Sequence, residues 1–516
     1  MPTVTGDARP TTVDGTIPTA PMIVRGQVIA SDLTEFQGRG DTLTFRAPDP
    51  RLHLSSLPLS SPGELRDLYA LSFDDILDYL EELGSRLDVR TNMHMQWARD
   101  LTYATSPHPK ILVDNDFDGA GLMFDRDQVR ERADKTVGLA YLNGWVATTL
   151  RDKTTLSVRA FGARGVHIIP GQSPLSAART IITAAFTRSD CIIKTPSNNP
   201  FAPVAIAWTM CEMAPDHPIT KHIAVGYWRG GDEAVERSLY QPHLIDKIIA
   251  WGGFASVKHV TRYIQPGLEL ISLDPKNSCS IVDGVVLDQE KAMREAALRI
   301  AVDVGALNQV GCSSSRLVYV ITGEQDSVER LSSLGRLVYE ELMGLPERMS
   351  TKAKWYDPEL RSNVDALRLQ DDWYTVIGGG DDEGCVIVSH LPDPVGFAGL
   401  LSGRTVNIVP VKSLDDAMPR FNAYTQTVGV YPESLKQRLV DIAPFYGVQR
   451  FVSLGYAGHH TWSGPHDGIE LERRMCKWVV DQRSEPVPLA YAGSGNRAIH
   501  PAHVPGSAEA VRAAAS

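Results

Sequence analysis

Cysteines are scarce in this chain and are not spaced in pairs. The 516 residues include six cysteines, and no two of them have the spacing of a zinc site or a disulfide framework. Scattered, unpaired cysteines are typical of a reducing compartment, so we expect a cytoplasmic protein without a metal site. The six are Cys191, Cys211, Cys279, Cys312, Cys385 and Cys476.

Long apolar runs and basic blocks are also missing. No run approaches the ~18 apolar residues that span a bilayer, and residues 1–21 lack the apolar centre of a secretory signal. The net charge is −11, and Lys and Arg form no block. We therefore expect no membrane span and no nucleic-acid partner.

The composition that remains is that of an ordinary globular protein, with 43% hydrophobic and 22% charged residues. A chain of 516 residues exceeds the size of one hydrophobic core, so we expect two or three domains. Residues 1–60 are predicted to be loosely ordered. Residues 61–150 are predicted to be mostly helical, because apolar residues recur at helical spacing over 64–87 and 125–150.

Strands alternate with helices over residues 151–305. This alternation predicts a parallel, doubly wound sheet, which binds ligands at the carboxyl ends of its strands. The predicted strands are 166–169, 191–194, 223–227, 247–251 and 268–273.

A second α/β region is predicted over residues 306–450, with strands near Leu317, Tyr374, Cys385 and Val406. Residues 378–382, which include three glycines, are predicted as a solvent turn and not a phosphate loop, because no helix follows them. We expect 451–489 to return to the first α/β region. The tail, 490–516, is expected to be flexible.

Cys312 is the leading candidate for chemistry. It lies in a loop of small residues between a helix predicted over 290–305 and a strand predicted over 317–321. Small neighbours let a substrate carbonyl approach the sulfur, and nearby backbone N–H groups lower the pKa of a thiol. The alternative is a small buried residue without a catalytic role.

Five segments of the chain resemble the aldehyde dehydrogenase superfamily, and most closely its long-chain fatty acyl-CoA reductases, the type associated with bacterial luciferase systems. The resemblance covers roughly residues 70–485. It implies an aldehyde dehydrogenase-like α/β fold, with a Rossmann-type cofactor domain, an α/β catalytic domain that carries Cys312, and a helical N-terminal lead-in packed on the cofactor domain. The segments are Pro-Gly-Gln-Ser-Pro at 170–174, Lys-Thr-Pro-Ser at 194–197, Ala-Trp-Gly-Gly at 250–253, Asn-Gln and Cys-Ser-Ser within 308–314, and Gly-Pro-His-Asp-Gly at 464–468.

The resemblance implies NADPH-dependent reduction of a fatty acyl thioester to the aldehyde. Cys312 would exchange with the thioester to form an acyl-enzyme, and hydride transfer would give a thiohemiacetal that releases the aldehyde. The donor would be acyl-CoA or an acyl-carrier protein. An acyltransferase or an acyl-activating enzyme would be a partner, and a homo-oligomer is expected.

Lys194 and its neighbours are the expected cofactor contacts. The lysine that matches Lys194 contacts the adenosine ribose in the family, whereas the alternative is a strand-end lysine that reaches solvent. Residues 195–199, which include Ser197, contain no carboxylate to repel a 2′-phosphate, so NADPH is favoured over NADH. Arg164 is a further candidate to pair with that phosphate, and Pro170 belongs to a matching segment.

Gly252 and Gly253 are expected to let a pyrophosphate approach the start of a helix, with Ser256 close by. The alternative is structural, because a strand-to-helix turn favours Gly without any ligand.

Two other catalytic candidates depart from the wider superfamily. Glu269 begins Glu-Leu-Ile-Ser-Leu where aldehyde-oxidising relatives have Glu-Leu-Gly-Gly-Lys, so it either activates the thiol or a water, or faces solvent. Gln172 stands where the superfamily has an oxyanion-stabilising Asn, and its amide would act with the backbone N–H of Cys312.

His466 is the last catalytic candidate, because an imidazole can take the thiol proton or donate one to the aldehyde oxygen. Asp467 is predicted to cap a helix that begins near Ile469. His459 and His460 are predicted to lie in a solvent-facing loop, since no carboxylate or cysteine follows at metal-ligand spacing.

Two other functions stay open. A CoA-acylating aldehyde dehydrogenase would use the same thiohemiacetal in the oxidative direction. A catalytically silent, partner-binding subunit of the same fold is the other alternative; the departures at Gln172 and 271–272 favour it, whereas the intact cysteine loop and Lys194 argue against it.

Overall fold

Two seven-stranded sheets organise the chain. The computed structural model describes residues 17–38, 43–151, 154–171, 173–323 and 328–483.

The first sheet has five parallel strands, extended by an antiparallel N-terminal hairpin. Its central strands are buried over their whole length because helices cover both faces, as in doubly wound folds. Adjacent residues of strand Asp190–Lys194 pack on opposite faces of the sheet. Ile193 packs in one core with helices 175–186 and 201–213, and Ile192 packs in the other core with helix 233–239. The strands, in spatial order, are Glu269–Leu273, Lys247–Trp251, Arg164–Ile168, Asp190–Lys194, Ile223–Gly226, Met22–Val24 and Gln27–Ile29.

The N-terminal hairpin corrects the expectation that residues 1–60 are loosely ordered, as far as the described residues reach. The strand Met22–Val24 is fully buried and pairs with Ile223–Gly226. A second hairpin joins Leu33–Gln37 to Thr44–Pro48. Local sequence gives little sign of such short strands, because pairing with the sheet stabilises them.

Among the described residues, five α-helices precede the first parallel strand, and their apolar faces share one core with helices of the first sheet. Residues 125–150 do not stay helical as predicted, because they end in the strand Val146–Thr149. The helices are Phe73–Arg86, Met93–Thr105, Lys110–Gly119, Arg126–Thr136 and Leu139–Asn143.

The second sheet is parallel except for one edge strand. Residues 277–283 form one of its strands, and helix 290–305 packs in its core. The sheets therefore divide the chain before residue 277, whereas the sequence placed the division after 305. The strands, in spatial order, are Tyr374–Gly378, Cys385–Ser389, Val406–Val411, Ser315–Ile321, Asn277–Asp283, Thr425–Tyr431 and Arg450–Ser453.

A smaller, three-stranded sheet joins the end of the described chain to the region before the first sheet. In it, Cys476–Arg483 pairs with Thr155–Gly162, and Thr155–Gly162 also pairs with Val146–Thr149. In the described part of the chain, no helix is long and apolar enough to cross a membrane. The remaining α-helices are Leu175–Phe186, Phe201–Met213, Pro218–Lys221, Glu233–Leu239, Phe254–Val260, Glu290–Gly305, Val328–Gly344, Pro358–Leu367, Leu414–Ala417, Glu433–Leu439 and Leu471–Met475. Short 3₁₀ helices span Pro50–Leu52, Pro62–Ala70, Gly121–Phe124, Thr261–Tyr263, Gly284–Asp288, Ala306–Gln309, Ala398–Leu400, Met418–Arg420 and Ala443–Tyr446.

Candidate active site

The loop that carries Cys312 lies where the carboxyl edge of the first sheet meets the amino edge of the second. Trp251 ends a strand of the first sheet and stacks on His466, with ring centroids 5.7 Å apart. Gln426 lies at the amino end of strand Thr425–Tyr431 in the second sheet and contacts Cys312. Side chains from both sheets therefore meet around the cysteine.

The backbone before Cys312 is held in an unusual conformation. Leu307, Asn308 and Gln309 have φ of 50°, 52° and 65°, a region that costs a non-glycine residue about 1 kcal/mol or more. The buried Gln309 amide offsets this cost. It donates at 2.9 Å to the carbonyls of Ser315 and Thr405 and accepts at 2.9 Å from the N–H of Thr405. The start of the cysteine loop is thus pinned to two strands.

Cys312 is the exposed cysteine of the chain, and the other five are buried. Its backbone carbonyl accepts a hydrogen bond of 2.7 Å from Ser278 Oγ. Its Sγ accepts one of 3.1 Å from Gln426 Nε2. The thiol is therefore both reachable from solvent and held by a donor, as a nucleophile requires.

Asp467 lies on the other side of the Gln426 amide, which donates to its carboxylate as well. Asp467 and Gly468, with φ of 51° and 75°, form the tip of a tight turn closed by paired backbone hydrogen bonds between His466 and Ile469. Positive φ at both positions is typical of a type I′ turn, for which Asp-Gly is a preferred sequence.

The predicted capping role of Asp467 is wrong. The helix that follows begins at Leu471, after Glu470, and no side chain caps it. The turn instead directs the Asp467 carboxylate toward Gln426.

Two opposing effects set the pKa of the Cys312 thiol. Protein atoms crowd the sulfur although one side is open, and this burial raises the pKa, as does the negative charge of Asp467. The hydrogen bond from Gln426 lowers it. Burial also raises the pKa of Asp467, against the hydrogen bond from Gln426. The net effect is a raised pKa for the Cys312 thiol, and Gln426 limits this rise.

His466 and His460 face the same region as neutral imidazoles. Burial and then Arg179 hold the pKa of His466 far below its usual range. Its Nε2 lies 3.7 Å from Asp467 Oδ1. Burial and then Arg450 lower the pKa of His460 to about 4.

His460 contradicts the prediction of a solvent-facing histidine pair, because its Nε2 lies 3.2 Å from Ser313 Oγ in the cysteine loop. His459 is exposed, as predicted. Within the described ranges, no three His, Cys, Asp or Glu side chains are grouped as metal ligands.

Glu269 is not brought to Cys312. It opens the edge strand Glu269–Leu273, at the amino end of the first sheet, opposite the ligand edge. Its carboxylate accepts 2.6 Å and 2.7 Å hydrogen bonds from Lys247 and Arg474. Burial raises its pKa, but these two partners lower it overall. Glu269 is therefore engaged in ion pairs that hold the sheet edge.

The expected cofactor residues surround a switch point of the first sheet. Strand Arg164–Ile168 lies between Asp190–Lys194 and Lys247–Trp251, so the connections leave it in opposite directions. Such a reversal opens a ligand crevice at the carboxyl ends. Pro170 follows the first of these strands, and Gly252 and Gly253 follow the third.

Glycines at this crevice allow close approach to the protein backbone. A Cβ on Gly171 would lie 2.0 Å from Asn198 Oδ1, so the two strand-end loops pack directly on each other. Gly253 has no atom within 4 Å of its Cβ position. Ser256 lies one helical turn away, with its Oγ 3.5 Å from the Cβ position of Gly252.

Lys194 ends a central strand, and its side chain is buried beside the rings of Tyr227 and Trp228, with Nζ 5.9 Å and 5.8 Å from their centroids. Burial lowers its pKa to about 8, against the attraction of Glu236. Ser197 lies in the loop that follows. A buried cation and open glycine backbone at the same edge of the sheet fit the phosphate groups of a dinucleotide.

Of the remaining candidates, Arg164 lies away from the crevice and Gln172 is not described. Arg164 stands at the amino end of its strand, where it forms a two-pronged ion pair with Asp246, so its proposed pairing with a 2′-phosphate is wrong. Gln172 lies outside the described residues.

Gln426 is the site residue that sequence reasoning missed. It is 114 residues from Cys312 and belongs to no matching segment. Arg179 was missed as well, although it is the one charged residue of the buried helix Leu175–Phe186, which is a signal in the sequence.

Comparisons with known proteins agree on family and fold. The model of the family described as "Acyl-CoA reductase (LuxC)" matches residues 68–478. A "Long-chain acyl-protein thioester reductase" of Vibrio harveyi is 24% identical over 471 residues, covering 90% of this chain and 93% of the relative. A protein of the same name from Aliivibrio fischeri is 25% identical over 470 residues, with the same coverage.

Solved structures of aldehyde dehydrogenases confirm the predicted fold class. NADP-dependent glyceraldehyde-3-phosphate dehydrogenase from Bacillus halodurans C-125, complexed with NADP, superposes with a TM-score of 0.68 at 14% identity, covering 90% of this chain and 99% of that one. Aldehyde dehydrogenase 21 from Physcomitrella patens gives 0.68 at 10% identity, with coverage of 91% and 98%. Identities this low establish the fold alone.

Proposed function

The chain belongs to the LuxC acyl-CoA reductase family, and on that premise we propose that it reduces an acyl thioester to the aldehyde through an acyl group carried on Cys312. The observation that carries the proposal is the exposed thiol of Cys312, bound by Gln426 between the two sheets. The donor is acyl-CoA or, as the names of the relatives suggest, an acyl group on a protein.

Acyl transfer begins with ionisation of the thiol. Gln426 stabilises the thiolate by donating to Sγ, and Asp467, the carboxylate on the other side of that amide, receives the proton. This is the role that the sequence suggested for Glu269. The thiolate attacks the thioester carbonyl, the bond to the donor sulfur breaks, and the departing thiolate takes up the proton.

The developing oxyanion needs donors beside Cys312. The backbone N–H of Cys312 and the amide of Gln172 are the proposed donors. Gln309 fixes the backbone before Cys312, so the N–H of Cys312 is preorganised and costs little to orient during the reaction.

NADPH is the proposed cofactor. Gly252, Gly253 and Ser256 would hold its pyrophosphate, and Lys194, with Pro170 and Ser197 nearby, its ribose and 2′-phosphate. Bound NADPH would supply the hydride that takes the acyl group to the aldehyde level.

Release of the aldehyde returns Cys312 to its starting state. The neutral imidazole of His466, 3.7 Å from Asp467, donates a hydrogen bond to the thiohemiacetal oxygen, and the one proton that the reduction consumes enters from solvent. When the carbon–sulfur bond of the thiohemiacetal breaks, the sulfur recovers a proton and the aldehyde leaves. The reverse sequence is the CoA-acylating reaction, so direction must be measured.

Several properties are carried by the resemblance alone. A fatty acyl chain, a homo-oligomer, a cytoplasmic location and a partner acyltransferase or acyl-activating enzyme stay predictions.

Turnover tests the proposal. Purified protein is mixed with an acyl-CoA and NADPH, while NADPH absorbance and aldehyde, captured as a hydrazone, are followed together. We expect one aldehyde per NADPH consumed, and none from Cys312→Ala. Aldehyde formation by Cys312→Ala would refute the acyl-cysteine route.

A further inference from the structure

Ser278 lies at an irregular point of the second sheet. In the ladder with one neighbouring strand, Asn277 pairs with Thr425. The next pair in this ladder joins Cys279 to Val428. The neighbouring strand therefore has two residues opposite Ser278, where a regular ladder has one. Such a β-bulge changes the direction of side chains, and bulges are common next to active sites.

The two residues opposite Ser278 are Gln426 and Thr427. Gln426 is the residue whose amide donates to the Sγ of Cys312. The bulge thus lies at the position that presents the amide to the nucleophile. Because a bulge interrupts the regular ladder, a further contact is needed to fix the position of this amide.

The hydroxyl of Ser278 makes that contact. Ser278 is buried, and its Oγ donates at 2.7 Å to the carbonyl of Cys312. The same Oγ accepts at 3.1 Å from the backbone N–H of Thr427. A hydroxyl has one hydrogen to donate and lone pairs that accept, so this single group joins the cysteine loop to the bulge.

These contacts close a ring of hydrogen bonds. The Ser278 hydroxyl binds the backbone of Cys312, and the Cys312 sulfur binds Gln426. The peptide bond from Gln426 to Thr427 then leads back to Ser278. In a closed ring, the separation of the amide and the sulfur is fixed by the other two bonds, as a preorganised site requires.

The orientation of the Gln426 amide depends on the same bulge. Thr427 Oγ1 donates at 3.4 Å to Gln426 Oε1 and accepts at 3.3 Å from Arg450. Since the amide oxygen faces Thr427, the amide nitrogen faces the sulfur of Cys312. Gln426 therefore meets the thiol as a donor, and a donor favours the thiolate.

We propose that Ser278 is a positioning residue for the reaction at Cys312, because its hydroxyl holds the bulge that directs Gln426 to the sulfur. Ser278 acts through Gln426 and not on the sulfur itself. The proposal rests on the proposed function, since it concerns the same nucleophile. The alternative is a purely structural role, in which the hydroxyl stabilises the sheet and leaves the thiol unaffected.

The alkylation of Cys312 by iodoacetamide tests the proposal. The rate is measured between about pH 6 and 10, which spans the usual thiol pKa, and is read by peptide mass. We expect Ser278→Ala to react about 3- to 10-fold more slowly near neutral pH, because the amide donor is no longer held against the sulfur. An alkylation profile that is unchanged in Ser278→Ala overturns the proposal.

Ser280→Ala is the matched control. Ser280 is buried on the same strand, but its Oγ donates at 2.9 Å to Ser315 Oγ and not to the cysteine. Both variants lose a buried hydrogen bond, so both should be less stable in urea. Only Ser278→Ala should change the alkylation profile, and an equal change in Ser280→Ala would assign the effect to the sheet and overturn the proposal.

A double-mutant cycle tests whether Ser278 acts through Gln426. If it does, Ser278→Ala adds nothing to the slower alkylation of Gln426→Leu, because both changes remove the same donor from the sulfur. Slowing that is additive in the double variant would show that Ser278 acts independently of the amide, which also overturns the proposal.

Ser278→Thr and Ser278→Val decide the question if Ser278→Ala does not fold. The two new side chains have the same shape, but only that of Ser278→Thr keeps a hydroxyl. We expect Ser278→Thr to be alkylated about 3-fold or more faster than Ser278→Val near neutral pH. Equal rates for this pair overturn the positioning role.

Acylation of the wild-type protein by tetradecanoyl-CoA, followed by intact mass, gives a separate answer on the proposed function. Failure of this thioester to acylate Cys312 counts against that function, whereas the alkylation rates still decide the role of Ser278. Normal acylation together with an unchanged alkylation profile in Ser278→Ala overturns the positioning role alone.

Discussion

Gln426 donates through Nε2 to the Sγ of Cys312 at 3.1 Å and also to the Asp467 carboxylate. One amide thus joins the nucleophile to the carboxylate proposed to take its proton. The two neighbours act on the thiol in opposite directions, because the amide donor favours the thiolate and the negative charge disfavours it. Replacing each one separates these effects.

Gln426→Leu should raise the pKa of the Cys312 thiol. Loss of a hydrogen bond to a charged group costs about 1.5–3 kcal/mol, which corresponds to about 1 to 2 pH units. The measurement is the rate of Cys312 alkylation by iodoacetamide between pH 6 and 10 (a range about the usual thiol pKa), read by peptide mass. Gln449→Leu is the matched control, since Gln449 and Gln426 line one cavity but Gln449 donates to the carbonyl of Ala423. An unshifted profile in Gln426→Leu would contradict the role of the amide.

Asp467→Asn should move the same alkylation profile the other way. Removing the negative charge lowers the pKa of Cys312, so alkylation near neutral pH becomes faster. Asn tolerates the positive φ at this position, so the turn should be kept. Acylation by a thioester should nevertheless slow, because the proton acceptor is gone. If alkylation and acylation both accelerate, Asp467 shapes the thiol pKa without acting as the base.

The position of the cysteine loop follows from local sequence, whereas its contacts with distant residues do not. The cysteine loop was located correctly because helix Glu290–Gly305 and strand Ser315–Ile321 have strong periodicities on either side of it. Gln426 lies in an unremarkable strand and reaches Cys312 only through the pairing of sheet strands. Single-sequence patterns contain no information on such distant contacts.

Two errors have identifiable causes. Glu269 matches the first position of the superfamily segment Glu-Leu-Gly-Gly-Lys, but it begins its strand and therefore lies at the amino end, away from the ligand crevice. The sequence pattern predicts a helix cap at Asp467, but Asp467-Gly468 is also a preferred type I′ pair, and that turn forms instead.

Gln309→Leu should destabilise the protein and loosen the cysteine loop. The change removes three buried hydrogen bonds and leaves the N–H of Thr405 with the carbonyl of Ser402 as its partner, at a cost of about 3 kcal/mol. Urea unfolding followed by tryptophan fluorescence measures the loss. Gln289→Leu is the control, because Gln289 is exposed at a helix start and makes no capping bond. Equal midpoints for the two variants would show that Gln309 does not pin the loop.

Lys194→Ala should weaken NADPH binding more than NADH binding. A charge-assisted hydrogen bond to the 2′-phosphate is worth about 1.5–3 kcal/mol, or about 10- to 100-fold in Kd. Quenching of tryptophan fluorescence gives both constants, and Trp228 lies next to Lys194. Lys221→Ala, an exposed lysine, should change neither. An equal loss for both cofactors would place Lys194 on the ribose and not on the phosphate.

The preference for NADPH over NADH should also fall as pH rises. Burial lowers the pKa of Lys194 to about 8 in the free protein, so its charged form prevails below that pH and is lost above it. The Kd for NADPH should therefore increase through pH 8 to 10, a range about that value, while the Kd for NADH changes less. A constant ratio of the Kd for NADPH to the Kd for NADH across this range would exclude Lys194 as the group that binds the 2′-phosphate.

The most direct test of the acyl-cysteine proposal is the mass of the intact protein after mixing with an acyl thioester, first alone and then with NADPH. We expect a gain of one acyl group, located on Cys312 by peptide mapping and absent from Cys312→Ala. NADPH should discharge the acyl group with release of aldehyde. An acyl group on another residue, or one on Cys312 that leaves as the free acid with NADPH present, would contradict reduction through Cys312.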